Sequence, residues 1–387
     1  MVYRVNFSSC IGSCSLFNEA IDSVPKEYKR QGEDWFAVFN KHVPRQFDVA
    51  LLHTFEHNSV VCCVRFSSDG KYLATGCNRT AQIFEVKTGR RGAILNDESA
   101  DQEGDLHIRS VCFSPDGRYL ATGTEDEVIR IWDIATKTIR TSFTGHEQDI
   151  YSVEFSRDGT RLASGSFDRT ARLWDMESNE CLQVFLSEGC VTTVAISPDG
   201  KFLAAGSLDR IVRVWDIDKG TMVERLEGHE DSVYSVAFTP SGHELLSGSL
   251  DKTIKLWELN RTMNVLGLPR AGVCKATFVG HQNFVLSVVV SPDGKWVVSG
   301  STDHGVQFWN IVDGEPQFML QGHKNPGTTA PPLFSLLCLF VWGHFGFGRL
   351  KGFLVISVAL APVLGGKIFA TGSGDCRVRI WSYDLKR

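Results

Sequence analysis

His146, Ser164 and Asp168 are a base, a hydroxyl and a carboxylate in one short stretch, the side-chain types of a nucleophilic hydrolase. In that chemistry the carboxylate orients the imidazole, which takes the hydroxyl proton as the oxygen attacks. The spacing argues against it here. The set returns as His229, Ser247, Asp251 and again as His281, Ser299, Asp303, with His and Asp 22 positions apart each time. An enzyme needs one nucleophile, and each set is followed by a tryptophan: Trp174, Trp257 and Trp309. Polar atoms in a sheet core are costly unless they satisfy one another. The economical reading is a structural tetrad in which the carboxylate accepts from the imidazole, the imidazole reaches the hydroxyl, and the hydroxyl reaches the indole N–H.

The elements that must hold such a tetrad can be read from Gly145 to Asp175. Ile150 to Phe155 alternates with the period of a half-buried strand. Ser156-Arg157-Asp158-Gly159 is a turn, Leu162 to Gly165 a second strand, Phe167-Asp168-Arg169 a tight turn and Thr170 to Trp174 a third strand. Thr138 to Phe143, just upstream, reads as a fourth. The unit recurs seven times. Trp132, Trp174, Trp215, Trp257, Trp309 and Trp381 step by 42, 41, 42, 52 and 72 positions, and a first repeat ends on Phe84, with Asn78 in place of the turn Asp. A period of about 40–45 residues with Trp-Asp at the repeat end signals a propeller of four-stranded blades. The pattern resembles WD-repeat proteins, over about residues 48–383. The expected fold class is therefore all-β, a seven-bladed β-propeller of WD repeats. The last repeat lacks an outer strand, and an unassigned strand at 48–55 (DVALLHTF) can supply it, removing an open edge.

Composition agrees with a globular chain: 387 residues, 43% hydrophobic, 22% charged, and 36 glycines for many tight turns. A net charge of −5 argues against direct nucleic-acid binding. The 11 cysteines form no pair of CxxC motifs, so zinc is not expected and reduced thiols are. There is no Walker loop, no HExxH and no dinucleotide fingerprint, so no cofactor is expected. The first residues lack the apolar run of a signal peptide, and no apolar run reaches membrane-spanning length. Residues 1–23 show no periodicity and read as disordered; residues 24–47 read as a strap packed on the outside of the propeller.

The seventh repeat departs from the rest. His323 and Asp375 stand 52 positions apart, and most of the excess is a stretch at 326–353 without strand alternation. It reads as a non-propeller insert in an intact blade, either a translated intron or other gene-model artefact, or an apolar insertion that docks a partner.

In a propeller of this kind the Gly-His loops and the Asp-bearing turns open on one face, around the central channel. Turn positions there are Cys77, Glu125, Phe167, Leu208, Leu250 and Thr302; positions at the start of the inner strands are Arg109, Asp149, Tyr151, Thr192, Tyr234 and Phe284. Aromatic and apolar residues clustered on exposed loops usually mark a binding site, so these twelve are the candidate partner-binding residues. Basic residues also follow the turn Asp at Arg169, Arg210 and Lys252, a solvated set or a charged ring on that face.

Glu33 to Asn40 (EDWFAVFN), Ser59 to Phe66 (SVVCCVRF), Ala74 to Phe84 (ATGCNRTAQIF) and Ala370 to Cys376 (ATGSGDC) go beyond generic repeat residues. They resemble the fungal Tup-type general transcriptional corepressors, over about Glu33 to Tyr383. The resemblance implies a non-enzymatic, nuclear interaction module. Its propeller face would bind DNA-bound repressor proteins and perhaps histone tails, and the family also binds a tetratricopeptide-repeat subunit through an N-terminal helical segment, to which Met1–Ser23 shows no likeness. Two other classes share the fold: a scaffold or substrate adaptor of another complex, such as a ubiquitin ligase, and a propeller hydrolase, which would need carboxylates or metal ligands in its channel.

Overall fold

The computed structural model describes residues 23–97, 106–260, 269–323, 354–362 and 367–385. The stretch read as disordered (1–23), except Ser23, and the stretch read as an insert (326–353) lie outside these. The described residues form seven sheets, antiparallel within every blade's four main strands. Blade three contains the strands Ile150–Phe155, Arg161–Ser166, Thr170–Asp175 and Cys181–Leu186, ordered from channel to rim. Its first turn closes because Asp158 accepts from the Ser156 hydroxyl at 2.5 Å and the Thr160 amide at 3.1 Å, while Gly159 takes φ +75°. The same Ser-x-Asp-Gly device recurs at Ser114/Asp116, Ser197/Asp199 and Ser291/Asp293.

Blades stack face to face. Trp174 packs with Ile129, Ile131 and Phe143 of blade two as well as with its own Phe155 and Leu162. Gly165 shows how close the blades come: a Cβ there would lie 2.6 Å from Val191 of blade four. A second connection runs around the channel. In blades two to seven a hydroxyl on the innermost strand accepts the amide of the next blade: Ser110 from Val153, Ser152 from Val194, Thr193 from Val236, Ser235 from Val288, Ser287 from Val358 and Ser357 from Val64, at 3.0–3.3 Å. Cys63 takes this place in blade one.

The ring closes as the strand arithmetic requires. Phe47–Glu56 pairs antiparallel with Arg377–Leu385, with Leu51 opposite Trp381, as the outer strand of blade seven. Residues 24–47 are partly sheet. Lys29–Gln31 and Phe36–Phe39 form a hairpin whose second strand pairs with Pro316–Gln321, so blade six has six strands. Asp34 in the hairpin turn reaches Arg379 of blade seven, which is fully buried. Blade four gains a short parallel strand, Arg270–Ala271.

Candidate protein-docking site

The tetrads are buried along the blade interfaces. In blade three, His146 Nδ1 lies 2.7 Å from Asp168, its Nε2 lies 2.7 Å from Ser164 Oγ, and the Trp174 indole donates to Ser164 at 2.8 Å. Blade five repeats this with His229, Asp251, Ser247 and Trp257 at 2.7, 2.6 and 2.8 Å. Blade six does so with His281, Asp303, Ser299 and Trp309 at 2.8, 2.7 and 2.9 Å. Blade seven uses Thr371 as the hydroxyl, between His323 and Trp381, and His323 stays 3.0 Å from Asp375 despite the long sequence between them. Ser164, Ser247 and Ser299 are fully buried, so no substrate reaches them as nucleophiles. Burial raises the Asp168 and Asp251 carboxyls, but the hydrogen bonds and charge of His146 and His229 outweigh it and hold both well below the ordinary range.

Three blades depart from this plan. In blades two and four an arginine four residues on takes the imidazole's place: Arg130 pairs Asp126 at 2.6 Å, and Arg213 pairs Asp209 at 2.7 Å. In blade one His57 meets Thr75 at 2.9 Å, but Asn78 has turned away to accept the Leu106 amide. His57 Nδ1 has no hydrogen-bond partner, and burial pulls the ring down to about 4.

The channel mouth is built by a repeated irregularity. In blades two to seven the innermost strand carries a β-bulge at one place, between Ile108/Ser110, Ile150/Ser152, Val191/Thr193, Val233/Ser235, Val285/Ser287 and Val355/Ser357. The residue inside each bulge is released from the ladder. Those residues are Arg109, Tyr151, Thr192, Tyr234, Leu286 and Ile356. Arg109 forms an ion pair with Glu125 and sits over the Tyr151 ring, 5.4 Å from its centroid. Tyr151 stacks on Phe167 with centroids 4.4 Å apart and planes 19° off parallel. The Phe167 amide donates to the Asp149 carbonyl at 3.0 Å, joining turn to loop. Burial, and then the Glu125 charge, raise the Asp149 carboxyl. Burial also raises the phenols of Tyr151 and Tyr234, against the opposing pull of Arg109 on both.

Of the twelve candidate residues, Arg109, Glu125, Asp149, Tyr151 and Phe167 form one contiguous group; Tyr234 occupies the blade five bulge that corresponds to that of Tyr151. Leu208, Leu250 and Phe284 are half-buried. Three are not exposed. Cys77 turns inward to Thr80, 2.9 Å from its hydroxyl, and Thr302 is 3% exposed. Thr192 donates to the Gly206 and Val233 carbonyls at 3.1 and 2.5 Å, so its short side chain is spent on the neighbouring strands. Phe284 aligns with Asp149; the counterpart of Tyr151 in blade six is Leu286, and in blade seven Ile356, both absent from the candidate set. Their signal is the residue before Ser-Val in each inner strand. Among the described residues no group of three or more His, Cys, Asp or Glu could hold a metal ion, and the eight described cysteines are free thiols.

A model of the WD domain, G-beta repeat, matches residues 50–85, 101–133, 137–175, 179–216, 220–258, 272–310 and 352–382, one segment per blade. The chain belongs to this WD-repeat family. It is 59% identical over 370 residues to transcriptional repressor rco-1 of Neurospora crassa, covering 94% of this chain and 56% of that protein. It is 42% identical over 427 residues to general transcriptional corepressor TUP1 of Saccharomyces cerevisiae, covering 93% and 56%. With transcriptional repressor tup12 of Schizosaccharomyces pombe the identity is 58% over 296 residues, covering 75% and 49%. The chain thus spans about half the length of the curated relatives it matches, and its WD repeats have high identity to Tup-type fungal corepressors over most of its own length.

Proposed function

We propose that this WD-repeat propeller is the partner-binding module of a Tup-type transcriptional corepressor, with no catalytic role, and that it acts in the nucleus. Its partners on this reading are DNA-bound repressor proteins, with histone tails and a tetratricopeptide-repeat subunit as further candidates, and they dock on the channel mouth. The observation that carries the reading is the Tyr151–Phe167 stack, flanked by Arg109, in a chain 59% identical to a named transcriptional repressor. Aromatic rings with an arginine are the residue types that dominate protein-docking energetics. The tetrads, which carry the side chains of hydrolysis, are consumed inside the blades.

The test is a domain exchange. The matching half of rco-1 is replaced by this chain in Neurospora crassa, and a repressed reporter is measured. Restored repression is the expected result, with loss of it in the Tyr151→Ala/Tyr234→Ala version. A well-expressed, folded chimaera that leaves the reporter derepressed would count against the proposal.

A further inference from the structure

The charge at the channel mouth is not evenly spread. In every blade the residue after the Asp or Asn of the second turn takes a left-handed φ, between +61° and +74°, without being glycine: Arg79, Glu127, Arg169, Arg210, Lys252, His304 and Cys376. Glycine would adopt that conformation without steric penalty, so each side chain is displayed at a strained position. Four of the seven are Arg or Lys; blade two alone presents a carboxylate, Glu127. Beside it stand Glu125 and, on the blade three loop, Asp149. Two cations stand in this sector: Arg109, which Glu125 already engages, and Arg169 at the blade three turn. Neither Glu127 nor Asp149 has an ion-pair partner among the described residues. Asp149 is pushed toward its neutral form by burial and then by the Glu125 charge, against the opposing pull of Arg109.

We propose that the blade two–three sector of the mouth takes a basic side chain, arginine in preference to lysine, from an extended peptide of the partner. The inference rests on the reading of the mouth as the docking face. The Tyr151–Phe167 stack supplies aromatic surface on which a planar guanidinium can lie, and Asp149 and Glu127 supply its counter-charges. Charge complementarity selects this occupant: an acidic side chain would meet two unmatched carboxylates here. Leu286 and Ile356, half-buried in the corresponding bulges of blades six and seven, offer an apolar landing for another residue of the same peptide. The expected ligand therefore carries one basic and one apolar anchor.

The experiment is selection of random 12-residue peptides displayed on phage against the immobilised chain, followed by fluorescence polarisation of the best binder. Wild-type protein should enrich peptides with arginine fixed at one position. Replacing that arginine by citrulline should weaken binding about 10-fold, and Glu127→Gln/Asp149→Asn should abolish the arginine preference. Both substitutions are isosteric, and an unchanged unfolding midpoint shows that the fold survives. Enriched peptides without a fixed basic residue, or an arginine preference that survives the double variant, would overturn this inference while leaving the docking face standing. Failure to enrich any peptide whose binding is lost in the Tyr151→Ala/Tyr234→Ala protein would overturn both.

Discussion

Ser164→Ala removes one oxygen and strands two buried groups. Ser164 Oγ accepts the Trp174 indole N–H at 2.8 Å and lies 2.7 Å from His146 Nε2, and the residue is fully buried. A buried polar group left unpaired costs about 1–3 kcal/mol. Two such groups give a loss of about 2–6 kcal/mol, a large part of the ~5–15 kcal/mol that holds a typical domain folded. The chain supplies two internal controls. Thr122 and Thr371 fill the same place in blades two and seven, accepting from Trp132 and Trp381 at 3.0 and 3.1 Å. Ser164→Thr should therefore keep the hydrogen bonds and lose only about 1 kcal/mol to its extra methyl. In blade four the hydroxyl position is Ala205, and Glu188-Gly189 stands where the Gly-His pair is expected, so both partners are gone together. The double variant Ser164→Ala/His146→Leu should accordingly be less unstable than the two single losses summed, by about 1–2 kcal/mol. Urea unfolding followed by tryptophan fluorescence measures the wild type, the three single variants Ser164→Ala, Ser164→Thr and His146→Leu, and the double variant. A Ser164→Ala protein within about 0.5 kcal/mol of wild type would refute the reasoning, as would a threonine variant no better than alanine.

Acid should weaken the fold in two separable steps. His57 binds protons more weakly folded, at about 4, than unfolded, near 6.5, so stability is full above pH 6.5 and falls as pH drops through that window. The loss reaches about 3 kcal/mol by pH 4, and a His57→Leu protein should lack it when both are unfolded in urea at a series of pH values. Asp168, Asp251 and Asp303 are held below the ordinary carboxyl range, so their contribution is intact above about pH 4 and disappears only in stronger acid. Asp34→Ala leaves the fully buried Arg379 guanidinium without its carboxylate. Asp34 is 41% exposed, so screening limits the loss to about 1–2 kcal/mol, and limited proteolysis should cut the Lys29–Phe39 hairpin sooner.

The repeat architecture was legible because each blade repeats its turn residues and its Trp at nearly constant spacing, and the closing strand because one blade is a strand short. The tetrads were legible because buried polar groups must pair, and the side chains at hand allow one pairing. Other features left weaker marks. The run Phe36–Phe39 is apolar throughout and carries no hint of which edge it joins; only the free outer edge of blade six decides it. Arg130 and Arg213 replace the tetrad histidine from a different strand, so the substitution is invisible when residues are compared column by column. The belt of hydroxyls around the channel is written as Ser-Val or Thr-Val in the inner strands of blades two to seven, but the amides that donate to it lie on the next blade, about 40 residues away. Thr192 and Cys77 look exposed as loop residues; the carbonyls of Gly206 and Val233, and the hydroxyl of Thr80, bury them.

Site-specific photo-crosslinking in nuclei tests the central claim most directly. A benzophenone amino acid is placed at Tyr151 or Tyr234 in the channel mouth, or at Leu182, an exposed residue on the outer strand of blade three. Sequence-specific DNA-binding proteins crosslinked from the two mouth positions and absent from Leu182 are the expected outcome. The same proteins captured at Leu182 and missing from both mouth positions would contradict it.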